Sequence, residues 1–277
     1  MSKPILIDQS NISLAWAEAF LAVRDASKHK LSPLVLSFTG FEGGEVQEHA
    51  GIRSSLDAAL AASDMQKVQT VANTIFPLSL WRYAKGDRKA LYASYRENLP
   101  DYVAMEPNKN QRGLYFGRLI AYDMDHKTGD RLAHIPKGTI PEDGNQLEFI
   151  IKHCKPTVRH SMFQASTFDP ARDHTTLAQL AFPCLQHVTF EPDFKAGSLA
   201  LNAFYATQQL FAKGYGNYLG LARLGLFMAG EVGLALDRVS CFVGVEKMEQ
   251  KPKAGAELDA LEQACEQALA PQTQEAR

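Results

Sequence analysis

The chain has 277 residues and a formal net charge of −2, and 45% of its residues are hydrophobic, which is enough to bury a full core. The near-neutral net charge argues against a protein whose main function is to bind nucleic acid. No run approaches the roughly 20 apolar residues of a membrane span, and no signal-peptide core opens the chain. Four widely spaced cysteines without a CxxC pair argue against zinc, redox and disulfide motifs, so we expect a cytoplasmic protein with reduced thiols.

The first half of the chain is predicted to be largely helical. Apolar residues at helical spacing follow a Ser/Asn-rich start and predict a helix over 13–26. The run 33–44 ends in glycines and predicts a short strand. Residues 54–98 are typical of helices, interrupted by a proline and by a Lys-Gly-Asp stop at 85–87. Aromatic and β-branched residues then predict a strand at 112–123.

The second half predicts strands around one central helix. The predicted elements are a helix at 145–154, strands at 158–165, 184–191 and 198–206, a helix at 216–233 and a strand region at 234–247. The helix at 216–233 is apolar nearly all round, so we expect it to be buried. Without an internal repeat or a linker, residues 1–250 are predicted to form a single α+β domain. Residues 251–277 are then a polar tail with one exposed helix.

A Pro-Cys dipeptide opens the strand-like segment FPCLQHVTFEPDF at 182–194. Strict alternation predicts one face made by Cys184, Gln186, Val188 and Phe190, and an opposite face made by Leu185, His187, Thr189 and Glu191. Free cysteine is among the most buried residue types, so Cys184 could simply pack in the core. The alternative is a nucleophile that the strand presents. The segment alone leaves both interpretations open.

Four segments around this cysteine follow one another in a distinctive order: TVRHSMFQAS, FPCLQHVTFE, GSLALNAFYATQQLF and GNYLGLARL. This order resembles the thymidylate synthase and pyrimidine hydroxymethylase superfamily, well over residues 110–230 and more loosely over the first hundred. The resemblance implies a three-layer α+β fold with a large mixed sheet whose back pairs with a second subunit in a homodimer. An unrelated α+β fold that shares a Pro-Cys by chance is the alternative.

By this resemblance, Cys184 is the nucleophile. Its thiolate adds to C6 of a pyrimidine and turns C5 into an enolate-like carbon that attacks a one-carbon donor. The implied donor is 5,10-methylenetetrahydrofolate, and no metal is implied. Asn217 aligns with the asparagine that reads the pyrimidine edge, and family members that act on cytosine commonly carry Asp there. Asn217 therefore favours a uracil-type base, although a turn or cap role before the central helix is an alternative.

The resemblance also implies residues that hold the substrate. Arg159 stands where the family's paired arginines begin, and in the family these reach across the dimer to the substrate phosphate. His160 takes the second place of that pair, and a surface salt bridge is the alternative role for Arg159. Thr207 matches a small hydroxyl residue after the phosphate-binding arginine, and Gln208 and Gln209 fall in the family's aspartate region. The segment Phe116-Gly117-Arg118 resembles the family's Tyr-Gly-Arg.

Several family features are missing from this sequence. Ala206 stands in place of the phosphate-binding arginine, and no carboxylate occurs between Val71 and Lys85, where the family keeps a glutamate for proton transfer. The His-x-Tyr pair that holds the sugar in the family is absent from 241–247, and the folate-binding C-terminus is not recognisable.

Two functions therefore stay open. One is a divergent methyltransferase or hydroxymethyltransferase acting on a uracil-type nucleotide or derivative, and the other is a catalytically silent homologue that binds a nucleotide or regulates a partner. A structural subunit of a larger assembly is a third option.

Overall fold

The computed structural model describes residues 4–110, 112–176, 184–248 and 255–271. The strands are β1 (Ile5–Gln9), β2 (Lys30–Leu31), β3 (Leu34–Phe38), β4 (Phe41–Glu42), β5 (Glu45–Val46), β6 (Gln164–Ser166), β7 (Leu185–Asp193), β8 (Ser198–Tyr205), β9 (Gln208–Gln209), β10 (Ala235–Val243) and β11 (Glu246–Lys247). The α-helices are α1 (Ile12–Asp25), α2 (Ala50–Ala62), α3 (Val68–Ile75), α4 (Leu78–Tyr83), α5 (Arg88–Glu97), α6 (Leu99–Met105), α7 (Pro107–Asn110), α8 (Tyr115–Ile120), α9 (Gln146–His153), α10 (Pro170–Asp173), α11 (Tyr215–Glu231) and α12 (Ala256–Leu269).

The largest sheet has six strands in the order β1-β3-β10-β8-β7-β6. The β1–β3 and β10–β8 pairs are parallel, and the other three pairs are antiparallel. A small sheet of β2, β11 and β9 continues from the ends of these strands. The prediction of a mixed α/β protein with a large mixed sheet is therefore confirmed. No helix within the described ranges is long and apolar enough to cross a membrane.

The helix α11 lies at the centre of the fold, as its all-round apolar sequence predicts. It packs against β8 and β10 on one side and against α3 on the other. Gly220 makes the second contact possible, because a Cβ atom there would lie only 2.8 Å from the Ala72 carbonyl oxygen. The burial of α11 fixes where its N-terminal turn meets the strand ends.

Three segments differ from the sequence-based prediction. Residues 112–123 contain the helix α8 instead of a strand, because Phe116, Leu119 and Ile120 lie three to four residues apart and are buried together. In the predicted strand at 158–165, a 3₁₀ turn occupies His160–Met162 and pairing begins only at Gln164. The helix α12 is not simply exposed, since it packs on α1 and α2 and buries two of its side chains, Leu261 and Cys265.

Candidate functional site

Cys184 lies just before β7, where three strands end side by side. The Ala206 N–H donates to the Cys184 carbonyl at 3.4 Å, and the Val245 N–H donates to the Ala206 carbonyl at 3.1 Å. The Cys184 side chain is partly exposed at this end of the sheet. Its predicted neighbour in the Pro-Cys pair, Pro183, lies outside the described residues. Thr207 follows Ala206 directly, so the fold brings Cys184 and Thr207 to the same sheet end.

The strand β7 does not alternate strictly. A β-bulge lies between Leu185 and His187. Leu185 precedes the bulge, and Val188 and Phe190 follow it, yet all three side chains are buried in the core. Strict alternation predicts Leu185 on the face opposite these two residues, and that prediction is wrong because the extra residue of the bulge reverses the faces. Bulges are common beside active sites, where they re-aim a side chain.

Tyr115, at the start of α8, contacts the backbone of the cysteine. Its hydroxyl oxygen accepts a hydrogen bond from the Cys184 N–H at 3.1 Å and a longer one from the Leu185 N–H at 3.5 Å. Burial raises the pKa of Tyr115 well above its ordinary value, and the nearby Cys184 raises it further. The phenol therefore keeps its proton at neutral pH. Sequence reasoning missed Tyr115 because the strand prediction for 112–123 gave no reason to place it at Cys184.

Lys213 supplies a positive charge near Cys184. It sits in a π-helical turn, Leu210–Gly214, a rare conformation that is frequent at functional sites. Its Nζ atom donates to Gln66 Oε1 at 2.6 Å. Burial lowers the pKa of Lys213, and Lys109 lowers it further, whereas the electrostatic interaction with Cys184 raises it. An ammonium group that interacts with Cys184 in this way favours a thiolate there.

We expect Lys213→Met to slow the alkylation of Cys184 by iodoacetamide about tenfold at pH 7, because losing roughly 1.4 kcal/mol of attraction lowers the thiolate fraction tenfold. The wild-type and variant rates should converge as pH rises, since Lys213 loses its proton below the usual lysine range. Peptide mass spectrometry measures the rate, with Cys154 in the same sample as the internal control. Equal rates at pH 7 would remove Lys213 from the site.

A group of buried polar side chains lies behind Cys184. Glu246 is fully buried and accepts a hydrogen bond from the Tyr218 hydroxyl at 3.3 Å. Gln208 is the register partner of Glu246 in the small sheet and is also buried. Burial raises the pKa of Tyr205 well above its ordinary value, and nearby ionisable groups that include Cys184 and Glu246 raise it further. This polar group is therefore continuous with the Cys184 site.

Asn217 lies in the first turn of α11 and is almost fully buried. The N-cap of this helix is Gly214, with no side-chain cap, so the capping alternative for Asn217 is wrong. No hydrogen bond joins its side-chain amide to another residue in the described part of the chain. The neighbouring Tyr218 contacts Glu246. Asn217 therefore lies on the helical turn that faces the polar group behind Cys184.

Arg159 and His160 lie at the opposite end of β7 from Cys184. His160 Nδ1 lies 2.6 Å from Glu191 Oε1, and both side chains are exposed. The distance along β7 from Leu185 to Glu191 is roughly 20 Å at about 3.3 Å per residue. One chain therefore does not bring Arg159 or His160 to its own Cys184. The side chain of Gln209 is exposed, on the face of β9 opposite to Gln208.

Other features do not form an alternative centre. A shallow cavity of about 290 Å³ lies between α5 and α9. Its charges are largely paired, Lys152 with Glu142 and Glu148 with Arg88. Within the described ranges, no group of three or more His, Cys, Asp or Glu side chains could hold a metal ion. We therefore place the candidate site at Cys184.

No family model matches this sequence, and no curated protein matches it either. The function therefore has to be inferred from the chemistry of the residues around Cys184. That chemistry combines a partly exposed cysteine, an ammonium group that interacts with it and a phenol that keeps its proton.

Proposed function

We propose that this protein is a divergent thymidylate synthase-like transferase that adds a one-carbon unit to C5 of a uracil-type nucleotide or derivative. The observation that carries the proposal is the environment of Cys184, which is partly exposed, hydrogen-bonded through its backbone to Tyr115 and in electrostatic interaction with Lys213. Lys213 would stabilise the thiolate that attacks C6, and the electron pair of the C5–C6 double bond would move toward C5 and O4. The nucleophilic C5 would then attack the methylene carbon of methylenetetrahydrofolate, the proposed donor, and break one of its two C–N bonds. Loss of the C5 proton would break the second C–N bond and release tetrahydrofolate, and addition of water to the exocyclic methylene would give the hydroxymethyl product and expel the Cys184 thiolate.

Asn217 supports a uracil-type base. Its buried amide can donate to O4 and accept from N3–H at the same time, which is the pattern that uracil presents. An aspartate at this position could only accept when ionised. The proposal also places the protein in the reducing cytoplasm, where a nucleophilic thiol is not lost to disulfide formation.

A homodimer is part of the same proposal, and the outer face of the large sheet supports it. A row of side chains crosses this face in register, which we call the outer row: Leu6, Val35, Phe242, Phe204 and His187. Phe204 and Phe242 stack at 5.4 Å between ring centroids, each about 40% exposed, and Leu6 is 72% exposed. A second copy packed on this face would bury the outer row. It would also bring Arg159 and His160 toward the partner's site, as the resemblance implies.

A catalytically silent, ligand-binding homologue is the second candidate. Two observations favour it: the exposed Ala206 beside Cys184 carries no charge for a phosphate, and α4 begins without a carboxylate where the family keeps a glutamate. Covalent capture separates the two candidates. The transferase should form an adduct between Cys184 and a 5-fluorouracil nucleotide or nucleoside. The silent homologue should show ligand-induced thermal stabilisation that is undiminished in Cys184→Ala, with no turnover.

A further inference from the structure

Gln208 is buried but makes no side-chain hydrogen bond. Its side chain is 2% exposed, and neither Nε2 nor Oε1 has a partner among the described residues. The Tyr205 hydroxyl, also buried, likewise has no partner in the described part of the chain. Buried side-chain amides and hydroxyls are nearly always bonded, so each exception calls for an explanation. Two such exceptions next to a candidate nucleophile indicate groups that are positioned for a ligand.

The backbone places these groups beside Cys184. The Gln208 N–H donates to the Val245 carbonyl at 2.9 Å, and Val245 in turn pairs with Ala206, which pairs with Cys184. Parallel pairing of β9 with β11 sets Gln208 directly opposite Glu246. Both side chains are buried, so they point to the same side of the small sheet. The backbone of Gln208 therefore lies one to two strand spacings from that of the cysteine, roughly 5–10 Å.

The chemistry of these groups selects the kind of ligand. Gln208 Nε2 and the Tyr205 hydroxyl can donate, whereas Gln208 Oε1 and the Glu246 carboxylate can accept. None of these side chains carries a positive charge, and the neighbouring Ala206 adds none. A phosphate placed here would be buried without a cation among these three side chains, which is costly away from water. An uncharged group that both donates and accepts, such as a hydroxyl or an amide, matches the donors and acceptors.

We propose that Gln208, Tyr205 and Glu246 form a buried hydrogen-bonding subsite for an uncharged, hydroxyl- or amide-bearing part of the ligand that binds at Cys184. This inference rests on the proposed function, because it concerns the same site. It assigns the subsite to the uncharged part of a pyrimidine nucleoside or nucleotide and places any 5′-phosphate outside it.

Gln208→Leu tests the subsite through two measurements on the full chain. Leucine leaves no unpaired polar atom, so the unliganded variant should melt at or above the wild-type temperature. Calorimetric titration with 2′-deoxyuridine should show at least a tenfold loss of affinity. The matched control is Gln9→Leu, because Gln9 Nε2 already donates to Glu18 Oε2 at 2.6 Å, and this variant should not gain stability. Tyr205→Phe is the second variant, expected to fold normally and to bind deoxyuridine several-fold more weakly.

Titration of the wild type and Gln208→Leu with deoxyuridine and its 5′-monophosphate completes the test. We expect Gln208→Leu to lose affinity for both ligands by the same factor, because the phosphate lies outside the subsite. A loss confined to the monophosphate, no binding of deoxyuridine to the wild type, or full deoxyuridine affinity in both Gln208→Leu and Tyr205→Phe would overturn the subsite. Failure of the proposed function looks different. A wild type that forms no Cys184 adduct, while Gln208→Leu still weakens deoxyuridine binding, would keep the subsite and remove the transferase.

Discussion

Phe204→Asp is expected to convert a homodimer into a monomer. Because Phe204 is about 40% exposed, covering it contributes about 0.6–1.2 kcal/mol, and a two-fold interface contains each residue twice. Losing both copies should therefore weaken the dimer by about 1.2–2.4 kcal/mol, or roughly 10- to 60-fold in Kd. The new carboxylate would also lie against the partner's apolar surface. Sedimentation velocity at micromolar concentration measures the change.

Tyr83→Asp is the matched control for this experiment. Tyr83 is 82% exposed and lies on α4, away from the sheet, so the variant should sediment like the wild type. A wild-type protein that sediments as a monomer would contradict the proposed pairing through the outer row. So would a Phe204→Asp variant that remains fully dimeric. Either result would also mean that Arg159 and His160 do not reach the Cys184 site of a second subunit through this interface.

Arg118→Met is expected to lower the free energy of unfolding by about 3–5 kcal/mol. The guanidinium of Arg118 is buried, and it donates to both carboxylate oxygens of Asp173 at 2.9 and 3.1 Å. It also donates to the backbone carbonyls of Arg112 and Thr167. Removing the cation leaves the buried Asp173 carboxylate with only a distant one, Arg112 at 3.9 Å, which is the costly way to break such a pair. Thermal unfolding should shift downward by roughly 6–20 °C.

This ion pair also concerns the candidate site, because Arg118 lies on the same short helix as Tyr115. We expect Arg118→Met to change the alkylation rate of Cys184 as well as stability. Lys109→Met is the control for stability alone, since its pair with Glu106 is exposed and should contribute less than about 1 kcal/mol. A stability loss in Arg118→Met no larger than that of the control would show that the buried pair is not important for the fold.

The sequence predicted elements that local patterns determine. The helix α11 was predictable because its residues are apolar on every face. The helix end at 85–87 was predictable because glycine readily adopts the positive φ that ends a helix, and Lys85 and Gly86 both have positive φ in the structure. The helix α8 was not, since the aromatic and β-branched residues of 112–123 favour strands when taken alone. The segment forms a helix because its apolar side chains recur every three to four residues and are buried together against other elements.

The candidate site was predictable only in part. Cys184 and Asn217 could be singled out by a resemblance in order and spacing. Tyr115, Lys213 and Glu246 could not, because they approach Cys184 through long-range pairing of strand ends and a π-helical turn. The bulge in β7 could not be predicted from the sequence either, because an extra residue in one strand can be recognised only from its pairing with the neighbouring strand.

The covalent chemistry of Cys184 is the central claim, and intact-protein mass spectrometry tests it most directly. The wild type is incubated with 5-fluoro-deoxyuridine and with its monophosphate, each with and without methylenetetrahydrofolate. We predict a mass increase that maps to Cys184, is absent in Cys184→Ser and is retained in Cys154→Ser, since burial raises the pKa of Cys154 and disfavours its thiolate. No adduct across the whole panel, or an adduct that persists in Cys184→Ser, would contradict the proposed transferase.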